Sequence, residues 1–183
     1  MKKILIKLLV SVVIFTCIVQ KYNANEILNS DIPHILNLEG TSNTRDLGGY
    51  VTKNGESTKF HIFLRSDNTN NLTNEDILVL KKYGIKTVID MRGYKETSKS
   101  EDKLSKLDGI KYYNIPIEAD NKKMSEFLNG KCDLSDIYLS MMSESQGKTT
   151  IKNLFEIIAS ESEGTIFFHC TYGKDRTGIM RSK

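Results

Sequence analysis

The sequence of 183 residues contains no tryptophan, two prolines, three histidines and three cysteines. The cysteines and histidines show no spacing typical of a zinc site. No apolar run reaches the roughly 20 residues that a comfortable membrane span requires. Repeats and low-complexity linkers are also missing, so nothing divides the chain beyond its first residues. With 39% hydrophobic and 27% charged residues, the composition is typical of one globular domain.

The amino terminus differs from the rest of the chain. It begins with the cationic stretch MKKILIK, and an uncharged apolar run of 12 residues follows from Leu8 to Val19. A cationic start before an apolar run of this length is typical of a secretory signal. We therefore expect a signal peptide over residues 1–24 and a secreted or cell-surface protein that touches the membrane only through this segment. An uncleaved amino-terminal anchor is the alternative.

The basic character of the sequence belongs to this segment. The full chain has 26 Lys and Arg residues against 23 Asp and Glu residues, a net charge of +3. Residues 1–24 hold four lysines and no acid, so the predicted mature domain has 22 basic and 23 acidic residues. We expect no nucleic-acid partner, because the domain carries no basic excess.

Segments that favour strands and helices alternate after residue 24. Strands are predicted at 59–65, 86–90, 111–117 and 165–169. Helices are predicted from a cap at Thr73 to a stop at Gly84, and at 122–129, 134–142 and 150–159. This alternation predicts an α/β domain with a mainly parallel central sheet flanked by helices. Ligands bind such sheets beyond the carboxyl ends of the strands.

The last predicted strand leads into the stretch FFHCTYGKDRTG, residues 167–178. A thiolate can attack phosphorus and divide phosphate monoester hydrolysis into two easier steps. The amino end of a helix favours the thiolate, and its N–H groups bind phosphate oxygens. These demands assign Cys170 as the nucleophile and Arg176 as the planar fork for two phosphate oxygens. The residues between them form a P-loop between the last strand and the following helix.

The backbone of this loop is predicted to surround the phosphate. The N–H groups of residues 171–175 would do so, which includes Thr171 and Tyr172, and Gly173 would allow the tight bend. The Lys174 ammonium is predicted to contact the phosphate as a second cation.

Three further residues support the nucleophile in this hypothesis. Thr177 is expected to hydrogen-bond the cysteine sulfur and help it leave as thiolate. Gly178 is expected to permit close packing where the helix starts, near residue 177. His169 is expected to orient the cysteine through its ring and backbone.

The leaving oxygen also needs a proton, and a positioned acid accelerates such steps about 10²–10⁴-fold. Asp175 lies inside the loop and is one candidate acid. Asp67 and Asp90, each at the end of a predicted strand, are rivals. A structural role for Asp175, or an Asp90–Arg92 pair, is the alternative at these positions.

The stretch HCTYGKDRTG resembles the HCxxxxxR signature of cysteine-dependent phosphatases, and it is most similar to the HCxxGKDRTG form of bacterial secreted tyrosine phosphatases. That group is related to phosphoinositide phosphatases with lysine in the same place. The upstream stretches TRDLGGY, LRSDN and VIDMRGYKE resemble other blocks of the family, in the same order. The resemblance implies a phosphotyrosine substrate, tolerance for phosphoserine, phosphothreonine or phosphoinositides, and neither a metal nor another cofactor.

Carried over by position, the resemblance implies roles for seven residues. The nucleophile falls on Cys170, the phosphate-binding arginine on Arg176, the extra cation on Lys174 and the acid on Asp175. Three upstream residues are implied to lie near the site: Arg45, Asp46 and Asp90.

Two other functions compete with this hypothesis. A rhodanese-type sulfurtransferase also carries a cysteine loop after a strand, but its loop is usually shorter and lacks the GKDRTG run. The second alternative is an inactive remnant that only binds phosphate. It follows from the seven residues after Arg176, which as helix reach only about 10 Å. We therefore expect a domain over residues 25–183 that is incomplete at its carboxyl terminus, with one sheet face open.

Overall fold

The computed structural model describes residues 35–143 and 145–180. The predicted signal peptide and its cleavage site lie outside the described residues. Within the described part, no helix combines the length and the apolar character needed to cross a bilayer.

Strands and helices alternate through most of this part of the chain. Its strands are β1 (Arg45–Asp46), β2 (Phe63–Ser66), β3 (Ile85–Asp90), β4 (Lys111–Asn114) and β5 (Thr165–His169). Its helices are α1 (Asn74–Tyr83), α2 (Tyr94–Thr97), α3 (Asn121–Leu128), α4 (Leu134–Ser143), α5 (Ser145–Ser160) and α6 (Asp175–Ile179), with a 3₁₀ turn at Leu104–Lys106.

The strands form one sheet in the order β1-β2-β5-β3-β4. Only β1 runs antiparallel to its neighbour, and the other pairs are parallel. This confirms the predicted α/β fold with a mainly parallel sheet. In the register, His169 at the end of β5 lies beside Ser66 of β2 and Asp90 of β3. The residue after His169 therefore emerges at the carboxyl edge of the sheet, between two neighbouring strands.

Successive side chains of the central strands point to opposite faces, and each face has its own core. Phe167 and Val88 pack with Leu80 of α1 on one face. Phe168 and Ile89 pack with Leu154 of α5 on the other. All five residues of β5 are buried. The expectation of an open sheet face is therefore wrong for the described residues. Helix α1 packs on one face of the central strands and α5 packs on the other.

Local sequence signals explain how α1 places β3. Thr73 and Asp76 form the predicted capping box at the start of α1, and Gly84 ends the helix in the left-handed conformation, with φ 89°. The chain then reverses directly into β3.

Strand β2 begins later than predicted, at Phe63, because the chain turns at His61, where φ is 61°.

Candidate active site

Cys170 follows β5 directly, at the carboxyl edge of the sheet. It is 2% exposed, and the hydroxyl oxygen of the fully buried Thr177 lies 3.1 Å from its sulfur. A hydroxyl that donates to this sulfur stabilises the thiolate more than the neutral thiol. The structure thus brings together the two residues that the sequence paired, and their catalytic roles stay predictions.

Neighbouring segments hold the loop after Cys170 by hydrogen bonds to its backbone. These bonds go to the carbonyl oxygens of residues 171–173. Asn68 N donates to the first at 3.2 Å, Asn43 Nδ2 to the second and third at 3.1 and 3.0 Å, and Arg65 to the third at 2.6 Å. In a trans peptide, the next N–H points opposite to the carbonyl. The N–H groups of residues 172–174 therefore point away from these donors, as anion binding requires.

Gly173 is required by the bend of this loop. Its φ is 63°, and a Cβ atom there would lie 2.5 Å from the carbonyl oxygen of Ser66. Two predictions for the following helix are wrong. α6 begins at Asp175 rather than near residue 177. A Cβ atom at Gly178 would meet no described atom within 4 Å, so close packing does not require glycine there.

Arg176 is oriented by a carboxylate from a neighbouring element. Its two terminal nitrogens lie 2.6 and 2.8 Å from the two oxygens of Glu96 in α2. This pairing shifts the pKa of both groups. Hydrogen bonds from Arg176 outweigh burial and lower the pKa of Glu96 to about 2. Burial acts to lower the pKa of Arg176, but its hydrogen bonds to Glu96 raise it overall.

Sequence analysis gave Glu96 no role, although VIDMRGYKE contains it. The same carboxylate accepts the backbone N–H of Gly93 at 2.9 Å and a hydrogen bond from Thr171. The sequence did offer one signal for this residue. Glu96 is the third residue of a helix that follows a strand, a position at which a glutamate side chain often accepts a backbone N–H of the preceding turn. Its distance of 80 residues from Arg176 concealed the pairing, since only the sheet order brings the two segments together.

The two polar residues before Arg176 are exposed to solvent. Asp175 accepts a hydrogen bond from the Tyr138 hydroxyl at Oδ1. This hydrogen bond is the main reason why the pKa of Tyr138 is raised. Lys174 precedes α6, and no described residue forms an ion pair with it. Both side chains are therefore accessible to a ligand at the loop, and their roles stay predictions.

Behind Cys170 lies a buried group of charged residues. His169 Nδ1 is 3.3 Å from the carbonyl oxygen of Cys170, and its Nε2 is 2.8 Å from Asp102 Oδ2. Asp90 is fully buried and accepts from Arg92 at 2.7 to 3.1 Å through both oxygens. Asp90 is therefore a structural partner of Arg92 and not a rival acid.

Asp67, the other rival acid, is half-buried. Its carboxylate accepts hydrogen bonds from the backbone N–H and the hydroxyl of Ser42, at 3.1 and 2.8 Å for the same oxygen. This pairing fixes the turn that carries Asn43 to the loop. We therefore assign Asp67 to support of the loop.

The prediction that Asp46 lies near the site is wrong. Asp46 accepts from His61 N at 2.9 Å and from the hydroxyl of Tyr83, at the opposite edge of the sheet. The reason is the antiparallel direction of β1, which carries the chain away from the loop after Arg45. Arg45 lies opposite Arg65 in the register, and the hydrogen bond to the loop comes from Arg65, which the sequence analysis missed.

A cavity of about 680 Å³ opens beside Arg176. This size lies in the range of pockets that enclose small organic groups. Its walls come from α2, the segment after β4, and helices α3 to α5, and they include Tyr94, Lys95, Glu118, Met124 and Met141. The cavity therefore offers space for the organic part of a phosphate ester bound at the loop.

Two comparisons with known proteins agree with this geometry. A family model described as the tyrosine phosphatase family matches residues 36–182. The chain therefore belongs to the tyrosine phosphatase family. It is also similar to a tyrosine-protein phosphatase from Nostoc commune, with 33% identity over 120 residues. The match covers 64% of this chain and 40% of that relative, so the chain corresponds to less than half of the relative's length.

The Arg176–Glu96 pair predicts a pH-dependent loss of stability in Glu96→Gln. Because the pKa of Glu96 is lowered from 4.5 to about 2, its contribution is complete above pH 4.5 and disappears as the pH falls through about 2. We expect the variant to lose about 1 kcal/mol of unfolding free energy at neutral pH, measured by urea denaturation. The loss should shrink on acidification.

Glu101→Gln is the matched control, because its pair with Lys106 is solvent-exposed. We expect almost no change in that variant at any pH. A loss in Glu96→Gln that stays constant from neutral pH down to pH 2 would show that the charge of Glu96 is irrelevant.

Proposed function

We propose that this chain hydrolyses phosphate monoesters, with phosphotyrosine as the main substrate class, through a cysteinyl-phosphate intermediate. The observation that carries the proposal is a buried Cys170 with the Thr177 hydroxyl 3.1 Å from its sulfur, at a loop that ends in Arg176. Membership of the tyrosine phosphatase family supports a phosphatase activity. The relative from Nostoc commune is named for that activity.

In the first step, the Cys170 thiolate attacks phosphorus. The S–P bond forms as the P–O bond to the substrate breaks, and Asp175 gives its proton to the leaving oxygen. Tyr138 contacts Oδ1 of Asp175, which leaves Oδ2 to carry that proton. The N–H groups of the loop stabilise the charge that develops on the phosphoryl oxygens.

In the second step, water attacks the phosphorus of the cysteinyl phosphate. The Asp175 carboxylate accepts a proton from this water, and the S–P bond breaks to release phosphate and the thiolate. The hydrogen bond from Thr177 stabilises the departing sulfur anion. Asp175 therefore ends the cycle protonated, as it began.

Arg176 can bind two phosphoryl oxygens at once only by giving up one of its present partners. Its two terminal nitrogens donate to Glu96, Met91 O and Thr171. These bonds engage four of the five guanidinium N–H donors. The longest, 3.3 Å to Met91 O, is the weakest, and we infer that phosphate replaces it. Glu96 keeps the guanidinium plane fixed during the exchange.

We further propose that the protein is exported. The cationic start and the apolar run from Leu8 to Val19 support this proposal, and both lie outside the described residues. Amino-terminal sequencing of protein from culture medium tests it, since a start near Asn25 is expected. Full-length chain found only inside the cells would contradict it.

A cysteinyl phosphate can be trapped directly. We expect that the purified full chain, mixed with radiolabelled phosphotyrosine peptide and quenched in acid, retains label at Cys170 and releases phosphate in steady state. Cys170→Ser should lose both signals, because serine is a much weaker nucleophile at neutral pH. Asp175→Asn should lower turnover of phosphotyrosine about 100-fold.

Cys132→Ser is the matched control, since burial raises the pKa of the Cys132 thiol, and it should keep both signals. Turnover that survives in Cys170→Ser would exclude the proposed nucleophile. Phosphate binding without turnover in the unaltered chain would instead favour the alternative of a phosphate-binding protein.

Lys174 is proposed to select among substrates. A second cation beside Arg176 favours head groups with more than one phosphate. We expect Lys174→Ala to lower kcat/KM for a phosphoinositide about tenfold and for a phosphotyrosine peptide much less, measured as released phosphate. Lys148→Ala, at an exposed position of α5, is the control. An equal loss on both substrates would show that Lys174 serves the common step.

A further inference from the structure

Helix α4 carries a tyrosine that reaches the active-site loop. The hydroxyl of Tyr138 donates a hydrogen bond to Oδ1 of Asp175, the first residue of α6. The two residues lie 37 positions apart in the chain, so this contact joins α4 to the loop. Within the described part of the chain, no other side chain hydrogen-bonds to the Asp175 carboxylate. Tyr138 is therefore the main candidate for control over the orientation of Asp175.

Tyr138 belongs to a helix whose position is fixed by other contacts. Its neighbour Ile137 is 3% exposed, and Met141 packs against the core on the same face of the sheet. The Ser140 hydroxyl oxygen accepts from Asp120 N at 3.3 Å, which ties α4 to the segment after β4. The packing of α4, rather than the contact with Asp175, therefore sets the place of the tyrosine hydroxyl.

Asp175 has few other contacts that could hold it. It is exposed and begins a helix of only five residues, and no ion pair joins it to another described residue. The side chain of such a residue rotates among several rotamers, and only some of them direct an oxygen toward the phosphoryl group. A hydrogen bond from a fixed donor selects one orientation before the substrate arrives, which lowers the cost of reaching the reactive geometry.

The donor also distinguishes the two oxygens of the acid. In a neutral carboxyl group, one oxygen carries the proton and the carbonyl oxygen is the stronger acceptor. Donation by Tyr138 to Oδ1 therefore favours the carbonyl oxygen at Oδ1 and the proton on Oδ2. The same hydrogen bond persists after proton transfer, since both oxygens of a carboxylate accept. Oδ2 is then available to take the proton of the attacking water.

Helix α4 also forms part of the cavity wall. Ser140 and Met141 line the cavity beside Arg176, which offers space for the organic part of the ester. One helix thus contacts both the acid and the space for the leaving group. A leaving group seated in this cavity and the acid that protonates it are therefore aligned by the same element.

We propose that Tyr138 is the positioning residue of the acid and fixes the Asp175 carboxyl so that Oδ2 faces the leaving oxygen of the substrate. The inference rests on the proposed function, in which Asp175 protonates that oxygen. Its benefit depends on the leaving group. The phenolic oxygen of tyrosine, with an ordinary pKa of about 10, needs the proton as the P–O bond breaks. p-Nitrophenolate is stable as an anion and leaves without a proton.

This dependence on the leaving group provides the test. Tyr138→Phe removes the hydroxyl and keeps the ring, and kcat/KM of the full chain is measured for phenyl phosphate and for p-nitrophenyl phosphate. We expect a loss of about tenfold with phenyl phosphate and of less than about twofold with p-nitrophenyl phosphate. Damage to the loop would slow both substrates equally. An equal loss on both, or no loss on either, overturns the proposal.

Tyr113→Phe is the matched control, because the Tyr113 hydroxyl also donates to a carboxylate, that of Glu161, at 2.8 Å. Glu161 precedes β5 whereas the loop follows it, so this variant should change neither rate. A double-mutant cycle then shows whether Tyr138 acts through the acid. In an Asp175→Asn background, Tyr138→Phe should cause no further loss with phenyl phosphate. A further tenfold loss there would contradict the proposed role.

Carbon NMR of the Tyr138 phenol tests the contact without turnover, and Tyr138→Phe assigns its signal. The hydrogen bond to Asp175 is the main reason why the pKa of Tyr138 is raised, so Asp175→Asn should lower its pH midpoint toward about 10. An unchanged midpoint overturns the proposal. A lowered midpoint in a chain without turnover would refute the proposed function, whereas turnover without the dependence on the leaving group refutes the positioning role alone.

Discussion

The arrangement of the site depends on the bidentate ion pair between Arg176 and Glu96. It joins the helix after β5 to the helix after β3, two strands that are neighbours in the sheet but 80 residues apart at these positions. Thr171 contacts both members of the pair. The loop therefore cannot move without disturbing a bidentate ion pair, and its first residue is fixed along with its last.

The other contacts of the loop complete this frame from the opposite side. Asn43, Arg65 and Asn68 bind its carbonyl oxygens, while Gly173 is pressed against Ser66. The loop is thus held by β2 on one side and by the elements after β3 on the other. This fixed backbone lowers the cost of anion binding, because its N–H groups are oriented before the ligand arrives.

Residues whose positions depend on local geometry could be placed from the sequence, although their catalytic roles stay predictions. Cys170, Gly173 and Thr177 lie within eight residues, and a strand followed by a tight loop and a helix fixes their relation. The capped helix α1 and the parallel sheet could be predicted for the same reason, since capping residues and apolar runs are local signals.

Residues that reach the site from distant segments could not be predicted. Glu96 and Arg65 approach the loop only because β5 lies between β2 and β3, and sequence order does not specify that arrangement. Asp46 was misplaced because its position depends on the direction of β1. The pairing of Asp102 with His169 was hidden for the same reason, since the two residues are separated by β4 and three helices.

A structure of the chain with bound vanadate, which mimics the phosphoryl group in transfer, would show whether Cys170, the loop and Arg176 act together on a phosphoryl group. Analogues of the transition state bind where charge is stabilised during the reaction. We predict that vanadium is bonded to the Cys170 sulfur and that loop N–H groups and Arg176 contact its oxygens, while Arg176 keeps its hydrogen bonds to Glu96. Vanadate bound elsewhere, or a loop whose carbonyl oxygens face the anion, would contradict this prediction.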